Sequence, residues 1–585
     1  MEKLKVGIIG CGGIANGKHM PSIKKVANLE MVAFCDIIEE RCVLAIVDFI
    51  KRHTERIKEM IKSEKVPEIR ENLTEMLRVN ENITLGKPST LHEVCQWTVY
   101  FNCASRIYTR DGAGFQLDTL LYPYYIADKE KGILDDEKAK FLIANLLLSD
   151  PHYYQISGVD ANDNDMTNPL SYLILEAADA INVSCNLTVR VHPRCDKEFL
   201  KKSVFYLMKN KNGWPRFAND EALSAGYMKN GLNKQTARER IAVGCNWLCV
   251  PGREFPMNDT VKINIAKVFE VALSEMKNEK ERSVERLFEL YSKHLEKAVS
   301  VVAEGVNLHI DHIGEVTPEL IMNLMMKNTL ERGEDVSKCA EIYTVGVDGA
   351  GLAVVADSFA ALKTRIEDER VLSWEEMYES IENDFADRRI YAMMKSTPRY
   401  CSGNSVADAF AKRLTDNFVC KVKGQKMPQG RTLVPGWFSW ARSIEYGKTV
   451  GATPNGRRSG EPLTHGANPE AGFRKDSAVT AQSSGIASVQ CGYGNTAPLQ
   501  IEFDPGVTLE NGGLERVTDL ILGHFELGGT LININVIDKE KIMQAKDDPD
   551  KYPDLVVRVT GFTAYFASLS PAFRELVVKR FIDET

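Results

Sequence analysis

Two loops far apart in the sequence carry residue types able to pass a hydrogen atom between them. Near the carboxyl end, Arg558-Val559-Thr560-Gly561-Phe562-Thr563-Ala564-Tyr565-Phe566 sets a glycine among bulkier neighbours. A glycine Cα that loses a hydrogen can flatten and share the unpaired electron with the flanking amide and carbonyl, and with no Cβ it leaves a sulfur room to approach. The same residue also suits a turn at a strand end, the commonest use of a lone glycine. Upstream, Ile241-Ala242-Val243-Gly244-Cys245-Asn246-Trp247-Leu248-Cys249-Val250-Pro251-Gly252 offers a thiol on a second loop. By itself Cys245 suits a buried small hydrophobe, as most free cysteines are.

These loops occur in order with Tyr122-Pro123-Tyr124-Tyr125, Asp160-Ala161-Asn162-Asp163-Asn164-Asp165-Met166-Thr167-Asn168, Asn186-Leu187-Thr188-Val189-Arg190-Val191-His192 and Gly451-Ala452-Thr453-Pro454-Asn455-Gly456-Arg457-Arg458. From about Val43 to Thr585 the chain thereby resembles the glycyl radical enzymes of the pyruvate formate-lyase and diol dehydratase group, without the amino-terminal portion that precedes this stretch in the family. The resemblance implies an α/β barrel of two five-stranded parallel half-barrels, incomplete on its amino-terminal side. It divides the chain into a formate-lyase-like domain over residues 43–455 and a glycine radical domain over residues 456–585. It also implies a lyase for C–O or C–C cleavage of a small metabolite, with Gly561 as the modified radical residue and Cys245 as the thiyl. Its partners would be a separate S-adenosylmethionine and iron–sulfur activase and a second copy in a homodimer. Radical addition and decarboxylation are alternatives on the same fold, and an inactive or chimeric remnant is another.

Asp259 stands where diol-eliminating members orient substrate hydroxyls, and it equally suits a cap before a helical run starting near Thr260. Trp247 departs from the family: it occupies the position at which dehydratases have the glutamate of Cys-x-Glu, and an indole cannot take up a proton. Its other reading is a packing aromatic. Cys249 is not adjacent to Cys245, so acyl transfer through a neighbouring cysteine pair lacks support.

The first residues follow another pattern. Lys5-Val6-Gly7-Ile8-Ile9 reads as a buried strand, Gly10, Gly12 and Ala15 as a turn opening a helix, and Met31 to Asp36 as a second strand ending in an acid. Glycines permit close approach of a pyrophosphate, and Asp36 is placed to accept from ribose hydroxyls. Residues 1–42, with His19 and Pro21, resemble the start of a Gfo/Idh/MocA oxidoreductase, which makes an NAD(P)-dependent oxidoreductase a further alternative. The Glu-Lys-Pro motif carrying that family's catalytic lysine does not follow, so NAD is not expected to bind.

The elements that must hold these loops read as mixed α/β. Residues 43–80 have a helical period with charges between the apolar positions, and helices are expected at 261–277 and 284–302 with a strand at 342–347. Gly- and Pro-rich stretches at 424–436 and 451–462 suggest exposed connections. The chain of 585 residues is 44% hydrophobic and 26% charged, with a formal charge of -8 and no basic block, which disfavours nucleic acid and anionic membranes as partners. Thirteen cysteines without framework or zinc-type spacing suggest reduced thiols in a cytoplasm, no metal site, and, with the radical motifs, anaerobic metabolism.

Overall fold

One face of the principal sheet is polar and yet buried, and this decides what the fold can position. A computed structural model describes residues 4–9, 29–35, 39–105, 115–244, 246–437, 442–474, 478–506, 509–559 and 563–580. Its strands are β1 (Leu4–Ile9), β2 (Leu29–Cys35), β3 (Phe115–Gln116), β4 (Tyr153–Ser157), β5 (Asn186–Val191), β6 (Arg216–Asn219), β7 (Ile241–Val243), β8 (Trp247–Cys249), β9 (Glu254–Asn264), β10 (Ile342–Ala350), β11 (Arg431–Gly436), β12 (Leu499–Phe503), β13 (Leu531–Val536), β14 (Val556–Arg558) and β15 (Thr563–Tyr565). A six-stranded sheet runs β12-β13-β6-β5-β4-β3, parallel except where β13 meets β6, and a three-stranded parallel sheet runs β11-β10-β9. Among the described residues, the sheets of the expected α/β barrel have six strands and three.

Every residue of β4, β5, β6 and β13 is buried. Alternate side chains of a strand share a face. On β5 that puts Leu187, Val189 and Val191 into the apolar core, and Asn186, Thr188 and Arg190 on the opposite side. The register continues the division across the sheet: Gln155 of β4 lies beside Thr188, and Thr188 beside Arg216 of β6. The apolar side is covered by the crossover helices Pro169–Ile181 and Lys197–Asn210, which parallel neighbours require. Beneath the second sheet lie Ile265–Met276, Val284–Val316, Leu352–Leu362 and Val406–Lys423, centred on Phe269, Phe288, Tyr291, Phe359 and Phe410.

Several sequence expectations shift. The helical segment near 43–80 is two helices, Glu39–Ser63 and Pro67–Leu85, the second opening with a proline whose missing N–H costs nothing there. The helix expected at 261–277 begins only at Ile265, because Val261 to Asn264 continue β9, and Asn264 supplies the cap by accepting from the Lys267 amide. Asp259 is thus a strand residue and not a helix cap. The helix expected at 284–302 runs on to Val316, and the strand expected at 342–347 runs to Ala350.

The expected exposed connections hold in part, since residues 424, 426 and 428–430 are exposed in a turn, and the rest is corrected. Residues 431–436 form the strand β11, and Ala452 to Arg457 are buried. Arg457 causes the second: its guanidinium donates to the carbonyls of Gly451 (2.8 Å), Gly447 (2.8 Å) and Glu461, folding the loop around a buried cation. At the amino end, β1 and β2 pair in parallel with each other and with no other described strand. Gly10, Gly12, Ala15 and Asp36, the dinucleotide residues, lie outside the described residues.

Candidate functional site

Thr563 and Arg558 are partners across the β14–β15 hairpin, whose turn contains Gly561. Gly561 itself lies outside the described residues, with Thr560 and Phe562; the residues on either side of them do not. On one side, the Thr563 amide donates to Asn186 Oδ1 (3.2 Å), and its hydroxyl shares a hydrogen bond with Ser184 (2.6 Å). On the other, the Arg558 amide donates to Asn535 Oδ1 (2.7 Å), Asn535 Nδ2 donates back to the Arg558 carbonyl (3.2 Å), and Arg580 donates to the carbonyls of Arg558 (3.0 Å) and Val559. The hairpin is pinned to β5 and β13. It sits close over Gly213, which has φ +75°, and a Cβ there would come 3.1 Å from Thr563 Cγ2 and 3.2 Å from Asn535 Oδ1.

The second loop is also a hairpin. Val243 of β7 faces Trp247 of β8 across a turn containing Gly244, Cys245 and Asn246, of which Cys245 lies outside the described residues. Gly244 and Asn246 both have left-handed backbones, at φ +56° and +98°. For asparagine this is a sparsely populated conformation. Its side chain is buried, and neither amide atom has a hydrogen-bond partner among the described residues. The hairpin hangs from the polar face of the large sheet: the Ala242 amide donates to Gln155 Oε1 (2.9 Å), and Arg216 donates to the Gly244 carbonyl (3.1 Å) while holding Thr188 Oγ1 (2.6 Å). Its entry is fixed by Asp220, which binds Arg190 (2.8 Å) and Arg240. Burial works to raise the Asp220 pKa, but the two guanidiniums outweigh it and hold the carboxyl well below the usual range.

The two hairpins meet on one strand. Asn186 holds the residue that follows the Gly561 turn, and Thr188, next on the same face, holds the arginine that grips the residue before Cys245. Residues two apart on a strand are separated by about 6.6 Å.

Trp247 is buried, with Lys262 Nζ 5.5 Å from its ring centroid. Lys262 lies opposite Asp348 in the β9–β10 register and pairs with it at 2.9 Å. Asn495 donates to the other carboxylate oxygen at 2.7 Å. The position that could have carried a proton-accepting carboxylate is thus filled by an indole facing a cation. Asp259 lies on β9 near Lys262, at the register break opposite Gly346, and its side chain is outside the described residues. Cys249 is half-buried, and burial, with Glu254 nearby, raises its thiol pKa well above the ordinary value. A thiol so shifted is a poor nucleophile.

Sequence reasoning missed Asn186, Thr188, Gln155, Arg216, Lys262 and Asp348. The available signal was polar residues alternating inside otherwise apolar strand runs, as in Asn186-Leu187-Thr188-Val189-Arg190 and Val261-Lys262-Ile263.

Residues 39–447 match the family described as pyruvate formate lyase-like, and residues 463–567 match the family described as glycine radical. Trans-4-hydroxy-L-proline dehydratase of Clostridioides difficile is 25% identical over 607 residues, covering 96% of this chain and 75% of that protein. Isethionate sulfite-lyase of Nitratidesulfovibrio vulgaris is 24% identical over 616 residues, covering 96% and 74%. The glycerol-bound B12-independent glycerol dehydratase of Clostridium butyricum superposes with a TM-score of 0.86 at 23% identity, over 98% of this chain and 78% of that one.

Proposed function

The chain belongs to the pyruvate formate lyase-like family of glycyl radical enzymes, and from that premise we propose that Gly561 stores the radical and Cys245 draws on it to cleave a small hydroxylated metabolite. A separate radical S-adenosylmethionine activase installs the radical in this class, and the radical supplies the power to break an unactivated C–H bond. In the proposed relay, the Cys245 S–H bond breaks as its hydrogen passes to the Gly561 Cα. The resulting thiyl takes a hydrogen atom from a substrate carbon, the adjacent C–O or C–C bond breaks, and the product radical recovers the hydrogen from Cys245. Asp259 orients the substrate hydroxyls. A homodimer and the division of the chain at residues 455 and 456 belong to the same proposal.

The suspension of both hairpins from neighbouring same-face positions of β5 is the observation that supports it, since hydrogen transfer requires near contact of the exchanging atoms. Trp247 beside Lys262 favours one reading within this chemistry: a reaction that needs no proton-accepting side chain two residues after the thiol, which puts C–C cleavage, decarboxylation or radical addition ahead of glutamate-assisted dehydration.

Anaerobic treatment with a cognate activase and S-adenosylmethionine should give a glycyl EPR signal, and air should then cut the backbone at Gly561. Gly561→Ala should abolish both. Cys245→Ser should keep the signal and lose turnover, and full turnover in that variant would sink the relay. No signal with several activases would favour an inactive remnant.

A further inference from the structure

A cavity of about 250 Å³ lies between the helix Arg388–Lys395, the loop 461–474, β12 and the carboxyl-terminal helix Pro571–Lys579. None of its described lining residues belongs to the β7–β8 hairpin or to β9. Among the described residues, Lys395, Arg399, Arg457, Arg474, Lys579 and Arg580 line it beside Glu461, Glu470 and Glu502. A low-dielectric concavity with surplus cations focuses positive potential.

His465 adds an unmet donor. Its ring is more than nine-tenths buried on the cavity wall, and burial, then Arg580, lowers its pKa to about 3, so the imidazole is neutral near pH 7. Arg580 approaches Nε2 at 3.1 Å, and a guanidinium can only donate, so Nε2 must be the acceptor nitrogen and Nδ1 must carry the proton. That Nδ1–H has no hydrogen-bond partner among the described residues. A buried N–H without an acceptor is costly, and a turn of the ring toward the cavity would let an anion there supply one.

We propose that this cavity binds a small oxyanion carrying carboxylate or phosphate groups, and that its occupancy stiffens the β14–β15 hairpin. The connection is Arg580, which lines the cavity and at the same time donates to the Arg558 and Val559 carbonyls at the start of the Gly561 turn. An anion holding His465 and Arg580 in place restrains that anchor.

The test uses the full chain without activation, so it is independent of radical formation. Inorganic phosphate and citrate are titrated separately by calorimetry, with hydrogen exchange followed on peptides covering 553–567. The expected result is saturable binding of at least one of them, weakened about tenfold or more by His465→Phe and about two- to fivefold by the exposed Lys579→Gln, with slowed exchange in that peptide. Phosphate binding alone would identify a phosphate site, and citrate binding alone a carboxylate site. Binding of neither, affinity unaltered in a folded Lys579→Gln protein and in His465→Phe, or tight binding with no change in exchange of 553–567 would each overturn the proposal.

Discussion

Lys262 and Asp348 carry opposite charges into the interior directly across two parallel strands, so each makes the burial of the other tolerable. Lys262→Met removes the ammonium paired with Asp348 at 2.9 Å, and breaking a buried pair in this way costs about 3–5 kcal/mol. The double variant Lys262→Met with Asp348→Asn should be less destabilised than Lys262→Met alone. Denaturant unfolding of the three proteins tests this, and additive losses would show that the pair is not coupled. Glu254, at the opposite end of β9, behaves differently. Burial raises its pKa from 4.5 to about 7, against hydrogen bonds from Thr344, the Val250 amide and Tyr227. A carboxyl whose folded pKa is raised favours the protonated folded state, so stability is lost as pH climbs from about 4.5 through about 7, by roughly 3 kcal/mol in total. Glu254→Gln should flatten that decline, as measured by unfolding at pH 5 and pH 7.5; an unchanged slope would assign the dependence to other groups.

At the scale of elements, β5 separates two roles that its residues could otherwise share. Asn186→Ala releases the Thr563 amide, and Thr188→Val releases Arg216 from its hold while keeping the side-chain shape. The first should lower the amplitude of the activated EPR signal. The second should leave that amplitude near wild type and lower turnover about tenfold or more. Equal effects on both readouts would show that the strand does not hold the two hairpins separately. In the sequence this stretch served only as a motif of the family resemblance, although the alternation of Leu187, Val189 and Val191 marks a strand with one apolar face. What could not be read was that Asn186, Thr188 and Arg190 are buried too: the sequence of one strand does not reveal that its second face is enclosed, which depends on hairpins contributed by distant segments. The misplaced start of the helix at Ile265 has a local cause. Val261 and Ile263 alternate as a strand while also fitting the helical period that follows, and the long pairing with β10 decides for the strand.

Across the whole molecule, the loop motifs were the most legible part and the boundaries the least. The glycine and cysteine runs advertise themselves through rare residue combinations, whereas a polar loop such as 451–462 looks exposed until Arg457 is found inside it. Among the described residues, the amino-terminal strand pair is hydrogen-bonded into neither large sheet. Deleting residues 1–38 should therefore leave the main melting transition within about 2 °C of wild type and preserve the activated EPR signal. A large drop in the melting temperature would show that this segment supports the barrel after all.

The placement of both hairpins on β5 also determines how errors propagate. When two parts are mounted on separate supports, the gap between them accumulates the fluctuations of each; when they share one mount, displacements of the mount cancel. A substitution or a thermal mode that tilts β5 as a rigid piece carries Asn186 and Thr188 together and leaves their spacing alone. Motion within the two short side-chain linkages, Asn186 to Thr563 and Thr188 through Arg216 to Gly244, alters the interval, as does motion of β13 through Asn535 or of β4 through Gln155. Under the proposed relay, the spacing of the two hairpins is therefore held by a few polar side chains of one sheet, with Asn186 and Thr188 of β5 at its centre.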